Sequence, residues 1–242
     1  MIDRDAFRTA LMRAAEDFEL TLTDKEIAGF VGYYELLIEW NQKMNLTAIT
    51  APEEVAVKHM IDSLSAEVGE IFTAGKKVID VGTGAGFPGL PLKIVHEKIE
   101  LTLMDSLAKR INFLEEVVRE LGLSMVNCVH ARAEDAAHLE KYREKYDVAV
   151  SRAVARLPIL LEYTLPFVKV GGLFIALKGR EYEEEADEAK RALMLLGGEI
   201  KEILPIKLPG LEDKRAVIVV EKTKATSKKY PRKAGTPKKS PL

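Results

Sequence analysis

The sequence has little of what disulfides, metal sites and membrane spans require. Its 242 residues include one cysteine, Cys128, so no disulfide can form within the chain, and its four histidines are not clustered. A structural zinc site needs about four clustered Cys or His ligands, so we expect no bound metal. No stretch approaches the roughly 18 apolar residues of a membrane-spanning helix, and residues 1–20 lack the apolar core of a secretory signal. These absences favour a cytoplasmic protein without a membrane segment.

Charge is unevenly distributed along the chain. The formal net charge is −2, from 36 Lys and Arg against 38 Asp and Glu. Residues 222–242 hold eight of the basic residues and none of the acidic ones, so the rest of the chain carries a net charge of −10. This basic tail is rich in Lys, Pro, Gly, Ser and Thr. We therefore expect it to be disordered when free and to contact nucleic-acid phosphates.

The chain before the tail divides at about residue 70. Residues 1–70 show helical apolar periodicity, for example at Phe7, Leu11 and Ala14. Residues 71–222 alternate strand and helix patterns, which is typical of an α/β protein with a mostly parallel sheet. Two final strands without a helix between them indicate an antiparallel edge. The seven strands are predicted at residues 78–81, 99–104, 125–130, 146–150, 172–177, 199–204 and 216–221.

A glycine-rich segment, VIDVGTGAGFPG at residues 78–89, includes the first predicted strand and the turn after it. In open α/β sheets ligands bind beyond the carboxyl ends of the strands, and glycine lets the backbone approach a ligand closely. The segment contains two overlapping signatures. Residues 84–89 satisfy G-x-G-x-x-G, the dinucleotide pattern. Residues 80–86 resemble the D-x-G-x-G-x-G motif of S-adenosylmethionine (SAM) methyltransferases.

Asp80 distinguishes these two signatures. The pyrophosphate of a dinucleotide binds at a helix N-terminus, where a nearby anion is unfavourable. SAM carries a sulfonium and an ammonium group, which a carboxylate attracts. Asp80 with Gly82, Gly84 and Gly86 therefore favours SAM. The alternative is a carboxylate that only caps a tight turn.

Two later strand ends supply further candidates for cofactor binding. Asp105 ends the second predicted strand, at about the 20-residue distance where a carboxylate meets a ribose diol, and we count it and the adjacent Ser106 as candidate cofactor contacts. It could instead cap the helix that starts near Ser106. Ala133 and Glu134 follow the third strand, where backbone amides and a side chain can bind an adenine edge. Glu134 could instead be a surface acid.

Several motifs, taken in order, resemble those of one family. It is the small-subunit (16S) ribosomal RNA guanine-N7 methyltransferase family G, formerly called glucose-inhibited division protein B. The motifs are NLTAI at 45–49, HMIDSL at 59–64, DVGTGAGFPG at 80–89, LMDSLAKR at 103–110, VSRA at 150–153, LKG at 177–179 and YPRKAGTP at 230–237. The resemblance covers nearly the whole chain. It implies a Rossmann-like SAM-dependent methyltransferase domain at residues 71–222, between the helical region 1–70 and a basic tail at 223–242.

The resemblance also implies methyl transfer from SAM to N7 of one guanine in the decoding-region loop of 16S rRNA, either naked or in the small ribosomal subunit. The cofactor contacts that it implies are Gly82, Phe87, Ala133, Glu134 and Arg152. Guanine N7 has a free lone pair and no proton, so we expect the enzyme to act by positioning, without a catalytic base. Candidates for the guanine pocket are Asn45, His59, Asp62, Ser63, Arg152 and Lys178.

Each pocket candidate also has an ordinary structural interpretation. The spacing of His59, Asp62 and Ser63 lets one helical face present all three, or they could form a helix end with a neutral histidine. Arg152 could contact the substrate or pair with a nearby acid, and Lys178 could be solvated. In the tail, we expect Tyr230 and Arg232 to be available for stacking on RNA. We also expect loss of the tail to weaken RNA binding while SAM binding survives.

Three other functions fit parts of the sequence. A SAM-dependent methyltransferase of a small molecule or protein would have the same cofactor site, but the basic tail argues against it. An NAD-dependent oxidoreductase would use the G-x-G-x-x-G pattern, yet the sequence has no evident acid–base partner for hydride transfer. A non-catalytic RNA-binding ribosome factor could keep a vestigial cofactor fold, although the intact Asp80 and glycines speak against it.

Overall fold

The computed structural model describes residues 2–242 and consists of one sheet with helices on both faces. The strands are β1 (Lys77–Val81), β2 (Glu100–Asp105), β3 (Val126–His130), β4 (Tyr146–Arg152), β5 (Val168–Lys178), β6 (Gly198–Ile206) and β7 (Arg215–Lys222). The helices are α1 (Arg4–Asp17), α2 (Asp24–Asn41), α3 (Pro52–Val55), α4 (Asp62–Leu64), α5 (Gly89–Val95), α6 (Ala108–Glu120), α7 (Ala133–Ala136), α8 (Leu157–Thr164), α9 (Tyr182–Glu188), α10 (Lys190–Leu196) and α11 (Thr236–Lys239). A π-helical turn, Ala56–Ile61, joins α3 to α4, and a 3-10 turn, Leu165–Phe167, follows α8.

The sheet has the strand order β3-β2-β1-β4-β5-β7-β6. The first five strands pair in parallel, and β7 pairs antiparallel with both β5 and β6. This confirms the predicted mostly parallel, seven-stranded Rossmann-like sheet with an antiparallel edge. The strand order reverses at β1, which opens a crevice beyond the carboxyl ends of β1 and β4.

Both faces of the sheet are covered, because successive strand residues point to opposite sides. On β1, Val78 packs into the apolar cluster formed with α1, α2, α5 and α6, while Ile79 packs into the cluster formed with α8 to α10. The N-terminal helices share the first cluster, to which Phe7 and Phe30 contribute fully buried rings. The helical region therefore folds onto the sheet and forms one wall of the crevice at its carboxyl edge.

The basic tail is folded, and the prediction that it would be disordered is wrong. Arg143 donates hydrogen bonds to three tail carbonyls, those of Thr226, Ser227 and Tyr230, at 2.7 to 3.1 Å. Arg232 binds the carboxylate of Glu162, which is fully buried on α8. Composition suggested disorder because lysine and proline rarely build a core, but these polar contacts anchor the segment to the second face of the sheet.

Three tail residues are consequently not available for RNA, contrary to the expectation from the sequence. Tyr230 is buried in the second apolar cluster, and Arg232 is held by Glu162. Lys222 is fully buried at the end of β7, where its Nζ donates to the Leu165 carbonyl at 2.6 Å. Burial lowers the pKa of Lys222 to about 8.

No helix among residues 2–242 has both the length and the apolar character needed to span a bilayer. Within the same residues, no group of three or more His, Cys, Asp or Glu side chains is arranged to hold a metal ion.

Candidate cofactor and substrate site

The glycine loop after β1 is held in place by Asp80. The Oδ2 atom of Asp80 accepts hydrogen bonds from the Thr83 hydroxyl at 2.7 Å and from the Gly89 amide at 2.8 Å. Gly82 and Gly84 have φ angles of 72° and 62°, a region that favours glycine. The loop conformation thus follows from one buried carboxylate and the glycines that can turn around it.

Asp80 lies beneath this loop and is fully buried. Its Oδ1 atom has no hydrogen-bond partner, and burial raises the pKa of the carboxyl group to about 7. The observed bonds are those of a residue that caps a tight turn, the alternative to a cofactor contact. A direct contact between Asp80 and a cofactor stays a prediction. When ionised, the carboxylate can also attract a cationic cofactor without touching it.

A cavity of about 320 Å³ lies at the carboxyl ends of β1, β2 and β3. Its wall includes five of the predicted cofactor residues, Gly82, Asp105, Ser106, Ala133 and Glu134. The other lining residues are Val81, Met104, Arg110, Ala131, Arg132, Ala153, Val154 and Tyr163. We refer to this space as the cofactor cavity.

Asp105 connects the glycine loop to the start of α6. Its Oδ2 accepts from the Gly84 amide at 3.0 Å and from Arg110 Nη1 at 3.1 Å, and its Oδ1 accepts from the Leu107 amide at 2.9 Å. A carboxylate offers about four acceptor positions, so capacity for a further donor remains. Holding the loop and binding a hydroxyl group are therefore compatible roles.

The chemistry of this cavity suits a nucleoside cofactor with a cationic end, such as SAM. Val81, Met104 and Tyr163 supply apolar surface for a planar base. Asp105 and Glu134 supply carboxylate oxygens, which accept from ribose hydroxyls or an exocyclic amine. A dinucleotide could use Asp105 in the same way, so the preference for SAM rests on Asp80, whose carboxyl group is buried beneath the loop where a pyrophosphate would bind.

A second, larger cavity of about 530 Å³ adjoins the first, and Ala153 and Val154 line both. Among its lining residues are five basic side chains and two acidic ones, so its wall is rich in cationic groups, and acids just outside it pair with Lys58 and Arg156. The basic residues are Lys58, Arg152, Arg156, Lys178 and Arg215, and the acidic ones are Asp62 and Glu185. We refer to this space as the basic cavity.

One carboxylate in the basic cavity holds two guanidinium groups. Asp62, which is buried, accepts from Arg152 Nη1 at 2.6 Å and from Arg215 Nη1 at 3.1 Å. Arg152 Nη1 also donates to the Lys58 carbonyl at 3.0 Å. Arg152 thus pairs with Asp62 rather than with an acid near Glu134. The Nε of Arg215 is buried without a partner in the protein, and the sequence did not single out this arginine.

Aromatic contacts connect the glycine loop to the basic cavity. The imidazole of His59 stacks on Phe87, with ring centroids 4.5 Å apart, and the guanidinium of Arg152 lies 4.9 Å from the same ring. Thr47 Oγ1 lies 2.8 Å from His59 Nε2. Burial, and then the charge of Arg152, lower the pKa of His59 to about 3. His59 is therefore neutral at physiological pH.

The structure does not bring every predicted residue to a cavity wall. Asn45 is exposed and outside both cavities. Ser63 is fully buried and donates to the His59 carbonyl at 2.6 Å, a bond that short hydroxyl side chains commonly make to the residue four positions earlier. Gly86 and Phe87 lie inside the loop rather than on the wall of the cofactor cavity.

Lys178 lines the basic cavity, but its charge is already paired. Its Nζ contacts Glu185 Oε2 at 2.5 Å and donates to the Ala155 carbonyl at 2.9 Å. Glu185 in turn accepts from the Leu157 amide at the start of α8. These bonds hold the segment after β4 in place, so Lys178 supports the cavity wall instead of reaching freely toward a phosphate.

The sheet order, the glycine loop and the carboxylate-lined cavity beyond β1 define the Rossmann-like methyltransferase fold. Solved structures have the same fold. The [4+2]-cyclase SpnF aligns over 82% of this chain and 96% of its own, with 15% identity and a TM-score of 0.58. M. jannaschii TYW2 in complex with AdoMet aligns over 67% and 74%, with 18% identity and a TM-score of 0.53. Because one neighbour is a cyclase, the fold alone does not establish methyl transfer.

Other relatives resemble this chain much more closely in sequence than these solved structures do. A family model described as rRNA small subunit methyltransferase G matches residues 26–217. The ribosomal RNA small subunit methyltransferase G of Alkaliphilus oremlandii (strain OhILAs) is 52% identical over 232 residues, which are 96% of this chain and 97% of the relative. That of Acetivibrio thermocellus is 52% identical over 235 residues, 97% of this chain and 96% of the relative. The chain belongs to the rRNA small subunit methyltransferase G family, as its motifs had indicated.

Proposed function

We propose that this protein transfers a methyl group from SAM to N7 of a guanine in the decoding-region loop of 16S rRNA. The observation that carries the proposal is the pair of adjoining cavities, one lined with carboxylates beside the glycine loop and one basic. They share the wall formed by Ala153 and Val154. The names of relatives that are 52% identical over nearly the whole chain support the same activity.

The cofactor cavity is the place for SAM, which supplies an electrophilic methyl group on a positively charged sulfur. Asp105 and Glu134 would accept from its hydroxyl and amine donors, while Gly82 lets Val154 pack closely against the turn after β1, where a Cβ would lie 2.6 Å from Val154 Cγ2. The buried Asp80 places negative charge beneath the loop once it is ionised. These three carboxyl groups suit a ligand that brings a cation and neutral donors, as SAM does.

The basic cavity is the place for the guanine. Its volume of about 530 Å³ admits one base with its sugar and phosphate, so the target must lie outside a base stack. Arg152 and Arg215 present planar donors fixed by Asp62. Arginine commonly donates to guanine O6 and N7 together, but the N7 lone pair must attack the methyl carbon, so in the reactive position these arginines would donate to O6 alone.

The reaction does not require a general acid or base from the protein. N7 forms the new C–N bond with its own electron pair as the C–S bond breaks, and the positive charge moves to the guanine ring. No proton is removed, which agrees with a neutral His59. The side chains act by aligning N7 with the methyl carbon and excluding water, and such positioning is worth roughly 7–11 kcal/mol.

The folded tail supplies a second contact with RNA in this proposal. Two of its eight basic residues, Lys222 and Arg232, are engaged inside the protein. The six that remain exposed are Lys224, Lys228, Lys229, Lys233, Lys238 and Lys239. Ordered lysines on one segment neutralise phosphates without sequence preference. We expect the partner to be 16S rRNA or the small ribosomal subunit, in the cytoplasm.

Labelled methyl transfer tests the proposal. The purified chain is incubated with methyl-labelled SAM and small subunits, or naked 16S rRNA, from cells that lack this protein. We expect label in the RNA, and mass mapping should locate it on one guanine as N7-methylguanine. Label on protein or free small molecules, or no label at all, would contradict the proposal. Calorimetric titration should show binding of SAM and none of NAD.

A further inference from the structure

Glu134, on the wall of the cofactor cavity, is held from behind by the C-terminal segment. The Gly235 amide donates to Glu134 Oε1 at 3.1 Å. Glu134 is buried and Gly235 is half-buried, so the bond is partly shielded from water, which strengthens it. One carboxylate oxygen is thereby fixed by the backbone, and rotation of the side chain is restricted.

Three residues earlier, Arg232 anchors the same segment to α8. Its Nε and Nη2 donate to the two oxygens of Glu162 at 2.9 and 2.7 Å, and its backbone amide donates to Oε1 at 2.7 Å. Glu162 is fully buried. A bidentate pair supported by a backbone amide has one well-defined geometry. The next residue on α8, Tyr163, lines the cofactor cavity.

From these contacts we propose that the segment 230–237 forms part of the cofactor site. Arg232 is the residue that positions this segment. The inference rests on the proposed use of this cavity by SAM. Arg232 sets the path of the chain, Gly235 fixes Glu134, and Glu162 ties the segment to the helix that also carries the lining residue Tyr163. A carboxylate that is already ordered loses little freedom when a ligand binds, and this favours affinity.

Because Arg232 and Gly235 support the cofactor cavity, we expect loss of the tail to weaken SAM binding, in contrast to the expectation from the sequence. This segment supports the cofactor cavity and also carries the exposed Lys233, and five more exposed lysines flank it in the sequence. When RNA and the cofactor both stabilise this segment, binding of one favours binding of the other. This coupling is reciprocal. RNA bound at the lysines would therefore tighten SAM binding by the factor by which SAM tightens RNA binding.

Calorimetry with SAM tests the role of Arg232. The full chain is compared with Arg232→Ala, with Arg232→Lys, and with Arg191→Ala, which removes an exposed arginine of α10 outside this segment. We expect Arg232→Ala to weaken SAM binding about tenfold, because a Glu134 side chain that is no longer held in place must be ordered when SAM binds. Arg232→Lys should recover part of that loss, and Arg191→Ala should match the unsubstituted chain.

The outcomes separate this inference from the proposed function. If the unsubstituted chain fails to bind SAM, the proposed function is wrong. If it binds SAM and Arg232→Ala binds equally well, only the inference is overturned, whatever the melting temperature of the variant. Should Arg232→Ala not fold, hydrogen exchange on the unsubstituted chain decides. SAM should slow exchange of the amides in residues 232–237, and unchanged exchange there would refute the inference.

Discussion

At the scale of single residues, Asp62 organises the basic cavity. One buried carboxylate orients two arginines that come from strands β4 and β7, on either side of β5. Without it, the two guanidinium groups would lose the carboxylate that fixes them relative to each other, although Arg152 would still contact the Lys58 carbonyl and Phe87. The predicted role of Asp62 as a pocket residue therefore becomes more specific, because it acts on the substrate through Arg152 and Arg215.

Substituting Asp62→Asn tests this role. Each charge-assisted hydrogen bond is worth about 1.5–3 kcal/mol, so we expect methyl transfer to RNA to fall by about 10- to 100-fold. SAM affinity should change by less than about twofold, because Asp62 is not on the cofactor wall. The matched control is Asp213→Asn, which removes an exposed carboxylate 3.8 Å from Arg215 Nη2. Equal rates for both variants would show that Asp62 does not position the arginines.

The pKa of Asp80 predicts a pH dependence of cofactor binding. Burial raises this pKa from 3.8 to about 7, so the folded protein favours the neutral acid. The stability that Asp80 contributes is full below about pH 4 and is lost as the pH rises through about 7. A cationic ligand favours the ionised form, so SAM affinity should rise between pH 6 and 8. In Asp80→Asn this rise should disappear, which calorimetry at the two pH values would reveal.

His59 does not contribute to this pH dependence of SAM binding. Its pKa is lowered to about 3, so the stability it contributes is present above about pH 6.5 and declines only as the pH falls toward 3. In the folded chain, where SAM binds, His59 is therefore neutral throughout pH 6 to 8. A rise in SAM affinity between pH 6.5 and 8 that survived Asp80→Asn would have to come from another group.

At the scale of elements, the glycine loop depends on a close approach at its end. A Cβ atom on Gly89 would lie 2.7 Å from Leu103 Cδ2 and 2.8 Å from Asp80 Oδ2. Both neighbours are buried, so neither can move aside easily. The last glycine of the G-x-G-x-x-G pattern is therefore required for packing of α5 against β2 and Asp80.

Gly89→Ala should destabilise the fold by about 1–3 kcal/mol, the usual cost of overpacking a core. It should also displace Asp80 and weaken SAM binding. Gly179→Ala is the control, because a Cβ at that position meets nothing within 4 Å. Urea denaturation of both variants gives the comparison. A Gly89→Ala protein as stable as the control would contradict the packing argument.

The strands could be predicted because each is a short apolar run bounded by turn residues. β5 is the exception, since it begins at Val168, four residues before the predicted start. Its first residues include Lys169 and Gly171, which interrupt the apolar pattern. The pairing of Asp62 with Arg215 could not be predicted, because the two residues are 153 positions apart and neither carries a local signal.

The order of the tail could not be predicted for a related reason. Local composition favoured disorder, and no property of residues 223–242 reveals that Arg143 and Glu162 lie ready to bind them. Arg143 lies in the turn before β4 and Glu162 lies on α8, and the tail meets both only in the folded chain. Composition predicted the charge of the segment correctly but not its order, because order depends on contacts that are distant in sequence.

At the scale of the whole molecule, one acidic body carries a folded basic segment. Lys238 and Lys239 lie in α11 and are exposed. Replacing both by alanine should weaken RNA binding and reduce the slope of log affinity against log salt by about 0.7–0.9 for each phosphate that is no longer neutralised. SAM affinity should stay the same, because neither lysine touches Glu134 or Glu162.

The matched control removes two exposed lysines from the opposite face, Lys25 and Lys98. Binding to 16S rRNA would be measured at several salt concentrations for both double variants. If the control and the α11 variant give the same slope, the tail does not contact phosphates, and the RNA must bind elsewhere on the protein.

Because β7 and the tail come last in the sequence, they also limit the order in which the protein can fold during translation. β7 lies between β5 and β6, so β6 has no partner until β7 has left the exit tunnel of the translating ribosome. Arg232 and Gly235 follow later still. A nascent chain that has emerged only as far as residue 222 contains every strand but lacks the support behind Glu134. The cofactor cavity can therefore mature only after the sheet is complete, once those later residues have also left the tunnel.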